Sequence, residues 1–505
     1  MKTLCELTAV DRCFFDLVAR ATFSNPFSDD RGELDLRLAD CSPQVPLVER
    51  VDRAIAKVRE RVGKLESSGG GDLRRYRGED RSVLRGAFLF DVFHHYYEAF
   101  DHFIADQVRT GKDSLPVPFA RDALAMLNKR GFGEFESQRF FAMFYQVRRA
   151  FYFINQGLVG HSRSMQDLRR RLWNNVFTYD SHWYERYLWN RMEDFSTLLL
   201  GETGSGKGSA AAAIGRSGFI PFDDRKGCFA ESFTRSFISI NLSQYPESLI
   251  ESELFGHRKG AFTGAIDHHQ GILARCSPHG AILLDEIGDV SIPVQVKLLQ
   301  VLQDRSFSPV GSHEILRFRG RVIAATNRPL PKLRLAGLFR DDFFYRLCSD
   351  VIVVPSFRQR LQEDREELFI MVTHVIQRIL GVPASDLVRW VCAALAKGLG
   401  SNYGWPGNIR ELEQAVRRAL LTGEYGGDHI HVAEDAGAVL AAAVQAGSLN
   451  ALALLRGYCA LLYERFGSYE EVSRRTGLDR RTVKKYILQA GQDGQQNAGA
   501  SLDPA

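Results

Sequence analysis

One short stretch combines glycine and lysine in a spacing that could bind phosphate groups. The sequence GETGSGKG runs from Gly201 to Gly208, after the apolar segment Thr197–Leu200 and before an alanine-rich segment. That order predicts a strand, a glycine-rich loop and a helix, with backbone N–H groups and the helix N-terminus facing phosphate oxygens. Lys207 would reach the β- and γ-phosphates as a point charge. The candidate nucleotide-binding residues here are Gly201, Glu202, Thr203, Gly204, Ser205, Gly206, Lys207, Gly208 and Ser209.

Gly208 departs from the usual pattern of such loops. A serine or threonine commonly follows the lysine, and its hydroxyl binds Mg²⁺. Gly208 has no side chain, and Ser209 points about 100° away on the helix, so it cannot be assumed to substitute. Mg²⁺ would then depend more on a carboxylate, on water and on the phosphates. Taken by itself, the motif could also be a glycine-rich turn with a surface lysine.

Two acidic residues follow a second apolar run further along the chain. The run ends in Asp285 and Glu286. Asp285 can hold Mg²⁺ directly or through water, and Glu286 can orient and deprotonate an attacking water molecule. Asn327 ends a third apolar run and could polarise that water or the γ-phosphate, although it could also simply form a turn before Arg328.

The elements that must position these residues form a pattern typical of parallel sheets. Five apolar runs separated by helix-like segments recur in the middle of the chain. They are 197–200, 236–241, 280–286, 320–327 and 350–355. Such a pattern predicts a parallel sheet covered on both faces. Ligands bind at the carboxyl ends of strands in these sheets, where Asn241, Asp285 and Asn327 are expected.

Length and composition set the class of protein. A chain of 505 residues predicts about three domains, and a net charge of +4 is too small to imply polyanion binding by the whole chain. The eight cysteines form no CxxC pair, which argues against a zinc site or a disulfide framework. The N-terminus carries charges too early for a signal peptide, and no apolar run approaches the ~18 residues of a membrane helix. We therefore expect a cytoplasmic protein without membrane association.

Two further motifs carry a resemblance to a known family. The sequence SELFGH at Ser252–His257 is followed by GAFTGA at Gly260–Ala265. Together with GSGK and the acidic strand end, they resemble the ATPase domain of bacterial sigma-54-dependent activators, also called enhancer-binding proteins, over roughly 158–440. The resemblance implies an α/β AAA+ P-loop domain with a helical lid, assembled as a hexameric ring. Such a ring hydrolyses ATP with Mg²⁺ and remodels sigma-54 RNA polymerase holoenzyme.

The resemblance also implies a contact with the sigma factor and a relay within the site. The loop would contact the sigma factor chiefly through Phe262 and Thr263. Its residues are Gly260, Ala261, Phe262, Thr263, Gly264 and Ala265. Asn241 would relay the state of the nucleotide to Glu286. An exposed phenylalanine costs free energy unless a partner buries it, which fits a loop of this kind.

Three arginines receive roles from the same resemblance. Arg340 and Arg346 would reach the γ-phosphate held by a neighbouring subunit, but residues six apart do not share one face of a regular helix. Ordinary salt bridging is an equal alternative for Arg346. Arg410, in the lid motif WPGNIREL, would act as the lid sensor. Asn408 is predicted to cap the lid helix, with Glu411 completing a capping box.

A basic segment near the end of the chain predicts DNA binding. Two short helices are expected to meet at Thr476–Leu478, with Asp479 capping the second. The segment is similar to the Fis-type helix-turn-helix domain that ends these activators, which would bind upstream DNA. The candidate DNA-binding residues, crowded on the second helix, are Arg480, Arg481, Thr482, Lys484 and Lys485. The alternative is a solvated basic helix.

The predicted architecture is therefore multidomain. A mostly helical, regulatory N-terminal region spans 1–156, the α/β nucleotide-binding subdomain 157–355, the helical lid 356–440, an all-α helix-turn-helix domain 449–490 and a disordered tail 491–505. The aromatic-rich helices of the first region favour core packing over a small-molecule pocket. The aromatic residues of 157–200 are expected to pack on the ATPase core or to seat the adenine base.

Two functional hypotheses follow. The first is a motor that hydrolyses ATP and remodels sigma-54 polymerase from an upstream site. The alternative is a DNA-binding regulator with a weak or vestigial ATPase, in which nucleotide only controls assembly. Gly208 favours the alternative, whereas the intact Lys207, Asp285, Glu286 and Arg340 favour the motor.

Overall fold

The computed structural model describes residues 4–111, 113–400, 403–427 and 449–499, with isolated positions between 440 and 447. The chain divides into two compact units, one ending at Tyr425 and the other beginning at Gly426. The first contains the N-terminal helices, a central sheet and the lid. The second is a small group of helices.

The N-terminal region is mostly helical, as the sequence predicts. Its helices are Ala9–Thr22, Asp29–Ala39, Leu47–Ser67, Gly78–Thr110, Ala120–Lys129 and Glu134–Gly157, with a 3-10 turn at Leu73–Arg75. The phenylalanines of these helices form a core that continues into the neighbouring α/β region. The ring of Phe141 lies 4.9 Å from that of Phe222, and the ring of Tyr145 stacks 3.9 Å from that of Phe229. The region is thus not a separate globule, because it shares its interior with the residues after 200.

Nine strands follow in the α/β region. They are β1 Thr197–Leu200, β2 Phe222–Asp223, β3 Cys228–Phe229, β4 Phe237–Asn241, β5 Ala281–Asp285, β6 Ser306–Phe307, β7 Leu316–Arg317, β8 Arg321–Thr326 and β9 Asp350–Val353. Five of them form one sheet in the order β4-β5-β8-β1-β9, and every neighbouring pair is parallel. The predicted parallel sheet is thereby confirmed. The two-residue strands pair antiparallel as β2–β3 and β6–β7.

The register of the sheet gathers the strand ends at one edge. Asn241 lies beside Asp285, which lies beside Ala325 on β8. On the other side of β8, Leu200 lies beside Thr326. Because all five strands are parallel, the residues that follow them meet at the same edge, above which the glycine-rich loop turns.

Helices cover the sheet and build the lid. Those of the α/β region are Arg163–Phe177, Ser181–Trp183, the π-helix Tyr184–Leu188, Lys207–Gly215, Glu247–Phe255, Ile272–Arg275, Ile292–Asp304, Leu330–Leu335 and Asp341–Leu347, with 3-10 turns at Met192–Asp194, Leu242–Gln244 and Ile287–Asp289. The lid helices are Phe357–Glu363, Glu366–Leu380, Ser385–Leu399 and Asn408–Thr422. In the described part of the chain, no helix combines the length and apolar character needed to cross a bilayer.

Part of the aromatic cluster in 157–200 packs inside the protein, whereas Tyr179, Trp183 and Tyr187 are exposed. The ring of Trp173 lies 4.5 Å from that of Phe177, and the ring of Trp189 lies 4.7 Å from that of Phe219. Tyr184 is fully buried. Of the two roles that the sequence left open for this segment, these contacts favour packing.

Within residues 449–499, the second unit has three helices around a small core. They are Ala451–Phe466, Tyr469–Thr476 and Arg480–Gly499, and Cys459, Val472 and Val483 are fully buried among them. The last helix extends into 491–505, where the sequence predicts a disordered tail. The described part of that segment, up to Gly499, is helical instead, because the helix begun at Arg480 continues past the small core.

Candidate active site

The glycine-rich loop holds its lysine over the end of β1. The helix Lys207–Gly215 starts directly after Gly206, whose φ of 107° only glycine adopts freely. The Lys207 ammonium donates to the carbonyl oxygens of Gly201 and Glu202 at 2.9 and 3.2 Å. Burial lowers the pKa of Lys207, while the carboxylates of Glu286 and Asp285 raise it. The loop therefore presents a partly desolvated cation between two acids.

The two acids differ in their surroundings. Asp285 ends β5 and accepts a hydrogen bond from the Glu286 backbone N–H at 3.1 Å. Glu286 adopts the left-handed conformation, with a φ of 56°. Burial raises the pKa of Glu286, and the charge of Asp285 raises it further. A carboxylate with a raised pKa is suited to accept a proton from water.

Two buried oxygen atoms at this site have no partner among the described residues. They are Ser205 Oγ and Glu286 Oε2. Buried polar atoms normally form hydrogen bonds, and exceptions need an explanation such as a bound ligand or water. The Ser205 hydroxyl and the Lys207 ammonium can donate to a negatively charged ligand on the loop, whereas Glu286 Oε2 can accept from a water molecule beside it. Asp285 is the carboxylate that could hold Mg²⁺ beside such a ligand.

Asn327 lies against the glycine-rich loop. It directly follows β8, and its side-chain amide donates to Thr203 Oγ1 at 2.7 Å. A hydrogen bond from its backbone N–H to the Glu286 carboxylate acts to lower the pKa of that group, against the larger effect of burial. The structure thus brings the Asn327 side chain into direct contact with the glycine-rich loop.

The side chain of Asn241 is hydrogen-bonded within its own turn. Its side-chain oxygen accepts hydrogen bonds from the backbone N–H and the hydroxyl of Ser243, at 3.0 and 2.8 Å. These bonds cap the 3-10 turn Leu242–Gln244. Among the described residues, no hydrogen bond joins Asn241 to Glu286. The relay implied by the family resemblance would require Asn241 to leave its cap.

The lid contacts the glycine-rich loop through Asn408. Its side-chain N–H group donates to Glu202 Oε2 and to the Thr203 carbonyl, at 3.0 and 3.1 Å, while its oxygen accepts from the Phe357 N–H at 2.7 Å. The sequence analysis predicts Asn408 as the helix cap, and that prediction is wrong. Gly407 occupies the cap position and donates to Glu411 Oε2 at 2.8 Å.

Arg410, two residues after Asn408, lies against the same glycine-rich loop. The Ile409 N–H donates to the Gly204 carbonyl at 3.1 Å, and a Cβ atom on Gly204 would collide with the Gly407 carbonyl. The charge of Arg410 adds to the lowering of the pKa of Lys207, after the larger effect of burial. Two cations therefore flank the same space, as binding of a polyphosphate requires.

Arg340 and Arg346 have different partners. Arg340 forms an exposed ion pair with Asp342 at 2.7 Å, and such pairs contribute little to stability because solvent screens them. Arg346 donates from Nε and Nη2 to the Leu302 carbonyl at 3.0 and 2.8 Å. Leu302 lies in the last turn of the helix Ile292–Asp304, whose free carbonyls attract cations. Arg340 is thus easily released toward another molecule, whereas Arg346 supports its own fold.

A buried ion pair, which the sequence analysis missed, joins the lid to the start of the α/β region. Arg360 Nε donates to Glu367 Oε2 at 2.9 Å, with side chains 3% and 0% exposed. Glu367 also accepts from the Ser162 N–H at 2.6 Å, and Arg360 donates to the Val159 carbonyl at 2.7 Å. Gly160 lies between them with a φ of 127°, and a Cβ there would collide with both side chains. In the sequence, only the presence of a glycine at position 160 could have signalled this close approach, and a single glycine is a weak signal.

Replacing Glu367 with glutamine should destabilise the lid by about 3–5 kcal/mol, because it leaves the Arg360 charge buried without its counter-ion. The measurement is urea unfolding followed by the fluorescence of Trp405, which is buried in the lid. Glu363→Gln is the matched control, because Glu363 lies on the preceding lid helix and accepts from the Ser164 N–H at 2.7 Å but is exposed. Equal effects of both substitutions would contradict the prediction.

The GAFTGA segment forms a closed turn. The Gly260 N–H donates to the Ala265 carbonyl at 2.8 Å, and the Ala265 N–H donates to the Phe262 carbonyl at 3.0 Å. The ring of Phe262 lies 4.9 Å from that of His257, so it is half-buried rather than fully exposed as the sequence predicts. Thr263 is exposed at the tip. His257 itself pairs with His269 across the base of the turn.

The second unit carries the predicted basic helix. Gly477, with a φ of 71°, ends the helix Tyr469–Thr476, and Asp479 Oδ1 accepts from the Arg481 and Thr482 N–H groups at 2.9 and 3.1 Å. Four of the candidate residues are exposed, namely Arg480, Arg481, Lys484 and Lys485. Arg480 also pairs with Glu470 at 2.8 Å. The turn between the two helices therefore has the geometry that the sequence predicts.

Comparison with known proteins identifies the central region. Residues 184–353 match the family described as the Sigma-54 interaction domain, a shorter stretch than the 158–440 of the predicted resemblance. The regulatory protein AtoC of Escherichia coli K12 is 39% identical over 226 residues, which cover 45% of this chain and 45% of AtoC. The transcriptional regulatory protein ZraR of the same strain is 41% identical over 232 residues, covering 46% of this chain and 48% of ZraR.

A third relative extends the match. The DNA-binding transcriptional regulator NtrC of Azospirillum brasilense is 36% identical over 263 residues, covering 52% of this chain and 47% of NtrC. The chain spans about half the length of these curated relatives. The family resemblance predicted from the sequence is confirmed for this region.

Proposed function

We propose that this protein hydrolyses ATP to remodel sigma-54 RNA polymerase holoenzyme. The proposal starts from the match of residues 184–353 to the Sigma-54 interaction domain and from relatives that are sigma-54-dependent transcriptional activators. The observation that carries the proposal is the arrangement at the sheet edge. Lys207, Asp285, Glu286 and Asn327 converge on one loop, and the lid reaches it through Asn408.

The site supports hydrolysis rather than binding alone. Lys207 and Arg410 would hold the phosphates of ATP, and Asp285 would hold Mg²⁺, which supplies charge neutralisation when bound. Glu286 would accept a proton from the attacking water, since its Oε2 has no partner among the described residues. Arg340, held only by an exposed ion pair, would serve a neighbouring copy in a hexameric ring.

The GAFTGA turn supports the contact with the sigma factor. Thr263 is exposed at its tip, and the half-buried Phe262 ring makes a T-shaped contact with the ring of His257. Such a contact between two rings is weak enough for Phe262 to give it up and pack against a partner protein instead. We propose that the turn, from Gly260 to Ala265, engages the sigma factor.

The basic helix of the second unit supports DNA binding. Arg481, Lys484 and Lys485 are exposed on a helix that follows a tight turn, which is how helix-turn-helix proteins present their recognition helix. The hydroxyl of Thr482 is engaged by Asp479, so Thr482 helps to cap this helix. Binding to an upstream DNA site, in the cytoplasm, completes the proposal.

The proposal is tested by transcription from a sigma-54 promoter with purified components. Open-complex formation should require this protein, its upstream site and ATP, and it should fail when a non-hydrolysable ATP analogue replaces ATP. The alternative, a DNA-binding regulator in which nucleotide only controls assembly, predicts equal activity with ATP and the analogue. Gly208 is the residue that favours this alternative.

Replacing Gly208 with serine should lower the Mg²⁺ concentration needed for half-maximal ATP hydrolysis several-fold. A Cβ atom at Gly208 would meet open space, so the new hydroxyl can be accommodated near the phosphates. Gly208→Ala is the matched control, because it also raises helix propensity, by about 1 kcal/mol, without adding a ligand oxygen. If serine and alanine shift the Mg²⁺ dependence equally, the missing hydroxyl is not what limits Mg²⁺ binding.

A further inference from the structure

A cavity of about 410 Å³ lies within the N-terminal helical region. Its walls come from the helices Leu47–Ser67, Gly78–Thr110 and Glu134–Gly157, and from Trp173 and Tyr184 in the segment that leads to β1. Aromatic rings dominate the lining, among them Phe93, Phe144 and Phe151. This volume and this apolar lining are typical of small-molecule sites. The sequence analysis favours plain core packing for these rings, but the packing leaves a cavity.

The cavity wall contains an unused hydrogen-bond donor. Trp173 is 5% exposed, and its indole N–H has no partner among the described residues. Buried indole N–H groups usually find an acceptor. Trp173 lines the cavity, so a bound molecule with an oxygen atom would supply the missing acceptor.

His94 supplies a complementary acceptor in the same wall. Its Nδ1 lies 2.8 Å from the Phe90 carbonyl oxygen, so Nδ1 carries the proton and Nε2 is left with a lone pair. Burial lowers the pKa of His94 to about 3, which keeps the ring neutral. The cavity thus offers one donor and one acceptor between aromatic faces.

The charged residues of the wall leave no cation for an anionic ligand. Arg31 pairs with Asp35 at 2.8 Å, and Arg148 pairs with Asp101. Glu185 accepts from Arg85 at 2.9 Å, and the remaining charged residue of the lining, the exposed Asp52, is acidic. A neutral molecule is therefore favoured.

The far side of the wall contacts the nucleotide-binding helix. In the helix Glu134–Gly157, the fully buried Arg149 donates to the carbonyl oxygens of Arg216 and Gly218, both at 2.7 Å. These carbonyls follow the helix that starts at Lys207, whose negative end a cation stabilises.

A side-chain bridge runs directly from the cavity to the same place. The Gln146 amide donates to the Ser217 carbonyl at 2.9 Å and to the Tyr184 hydroxyl at 2.7 Å, and Tyr184 lines the cavity. Movement of Tyr184 or of the helix Glu134–Gly157 would therefore reach the end of the nucleotide-binding helix.

We propose that this cavity binds a small neutral aromatic molecule carrying a hydroxyl or carbonyl oxygen, and that its occupancy is coupled to nucleotide affinity through Gln146. Only the identification of the glycine-rich loop as a nucleotide site rests on the proposed function. Binding and coupling require neither ATP hydrolysis nor transcription, so the two ideas fail separately.

The binding step is tested by calorimetry on the full chain with naphthol as the probe. Trp173→Phe should weaken naphthol binding about fivefold, the size of one hydrogen bond, and should leave the binding of naphthalene unchanged. Val51→Trp should abolish the binding of both probes by filling the cavity, in which Val51 is a half-buried wall residue. Trp183→Phe is the matched control, because Trp183 is 58% exposed and does not line the cavity.

The coupling step uses the affinity of a fluorescent ATP analogue. Saturating naphthol should change that affinity about fivefold or more, and by linkage the analogue should change naphthol affinity equally. Gln146→Met should remove the coupling and keep naphthol binding. The proposal is overturned if the wild-type chain releases no binding heat, if Val51→Trp binds naphthol normally, or if naphthol leaves nucleotide affinity unchanged.

Discussion

Replacing Glu286 with glutamine is expected to lower steady-state ATP turnover by about 10²–10⁴-fold, the usual effect of losing a general base. The glutamine amide has the shape of the carboxyl group but cannot accept the proton from water. Binding of ATP should survive, because the loop cation Lys207 is untouched. Turnover is measured as phosphate release, and binding with a fluorescent ATP analogue.

Two further variants, Lys207→Ala and Glu251→Gln, test this prediction. Lys207→Ala should lower both binding and turnover, because it removes the cation that the loop holds between Asp285 and Glu286. Glu251→Gln is the matched control, since Glu251 is paired with Lys297 at 2.7 Å on the surface and should keep full activity. If wild type and Lys207→Ala hydrolyse ATP equally slowly, the site is vestigial and nucleotide only controls assembly.

The pH dependence of turnover follows from the same carboxylate. Burial raises the pKa of Glu286, with a further contribution from Asp285. Only the ionised form can act as a base, so activity should fall as the pH drops through a pKa above the ~4.3 of an ordinary glutamate. The acidic limb should be absent from the residual activity of Glu286→Gln. An identical limb in that variant would assign the titration to another group.

Replacing Thr263 with alanine is the second prediction with a large expected effect. Transcription from a sigma-54 promoter should fall about tenfold or more, as expected for one lost contact of about 1.4 kcal/mol. ATP turnover should stay within about twofold of wild type, because the GAFTGA turn closes on itself through Gly260 and Ala265. Both are measured on the same preparation, so loss of folding would show as loss of both.

A threonine elsewhere provides the control for this substitution. Thr373 lies on a lid helix, and its hydroxyl donates to the Phe369 carbonyl of the same helix at 2.8 Å. Thr373→Ala should leave both activities unchanged. Full transcription by Thr263→Ala, with normal turnover, would mean that the turn does not contact the sigma factor through this residue.

Much of the central region could be predicted from the sequence because its signals are local. The strands and their parallel arrangement follow from apolar runs, and Gly206, Asp285 and Asn327 fall at strand or helix ends, where ligands bind. Local patterns also placed the turn before Asp479. Each of these predictions needs only a few neighbouring residues.

The errors and omissions concern partners that are distant in the chain. Asn408 looks like a helix cap, but it bonds to Glu202 and Thr203, more than two hundred residues earlier. Glu367 meets the backbone of Ser162 in the same way, and Arg346 meets a carbonyl on another helix. Such contacts depend on how the elements pack, which propensity and spacing do not encode.

The interior shared by the N-terminal helices and the α/β region decides where this protein can be cut. Removing residues 1–156 would strip Tyr145 and Phe141 from Phe229 and Phe222, leave the carbonyls beyond the helix Lys207–Gly215 without Arg149, and expose apolar surface to solvent. We therefore expect that the N-terminal region cannot be exchanged as an independent domain. A chimera that supplies a new DNA-binding specificity should instead be joined after Tyr425, where the chain passes from one compact unit to the next.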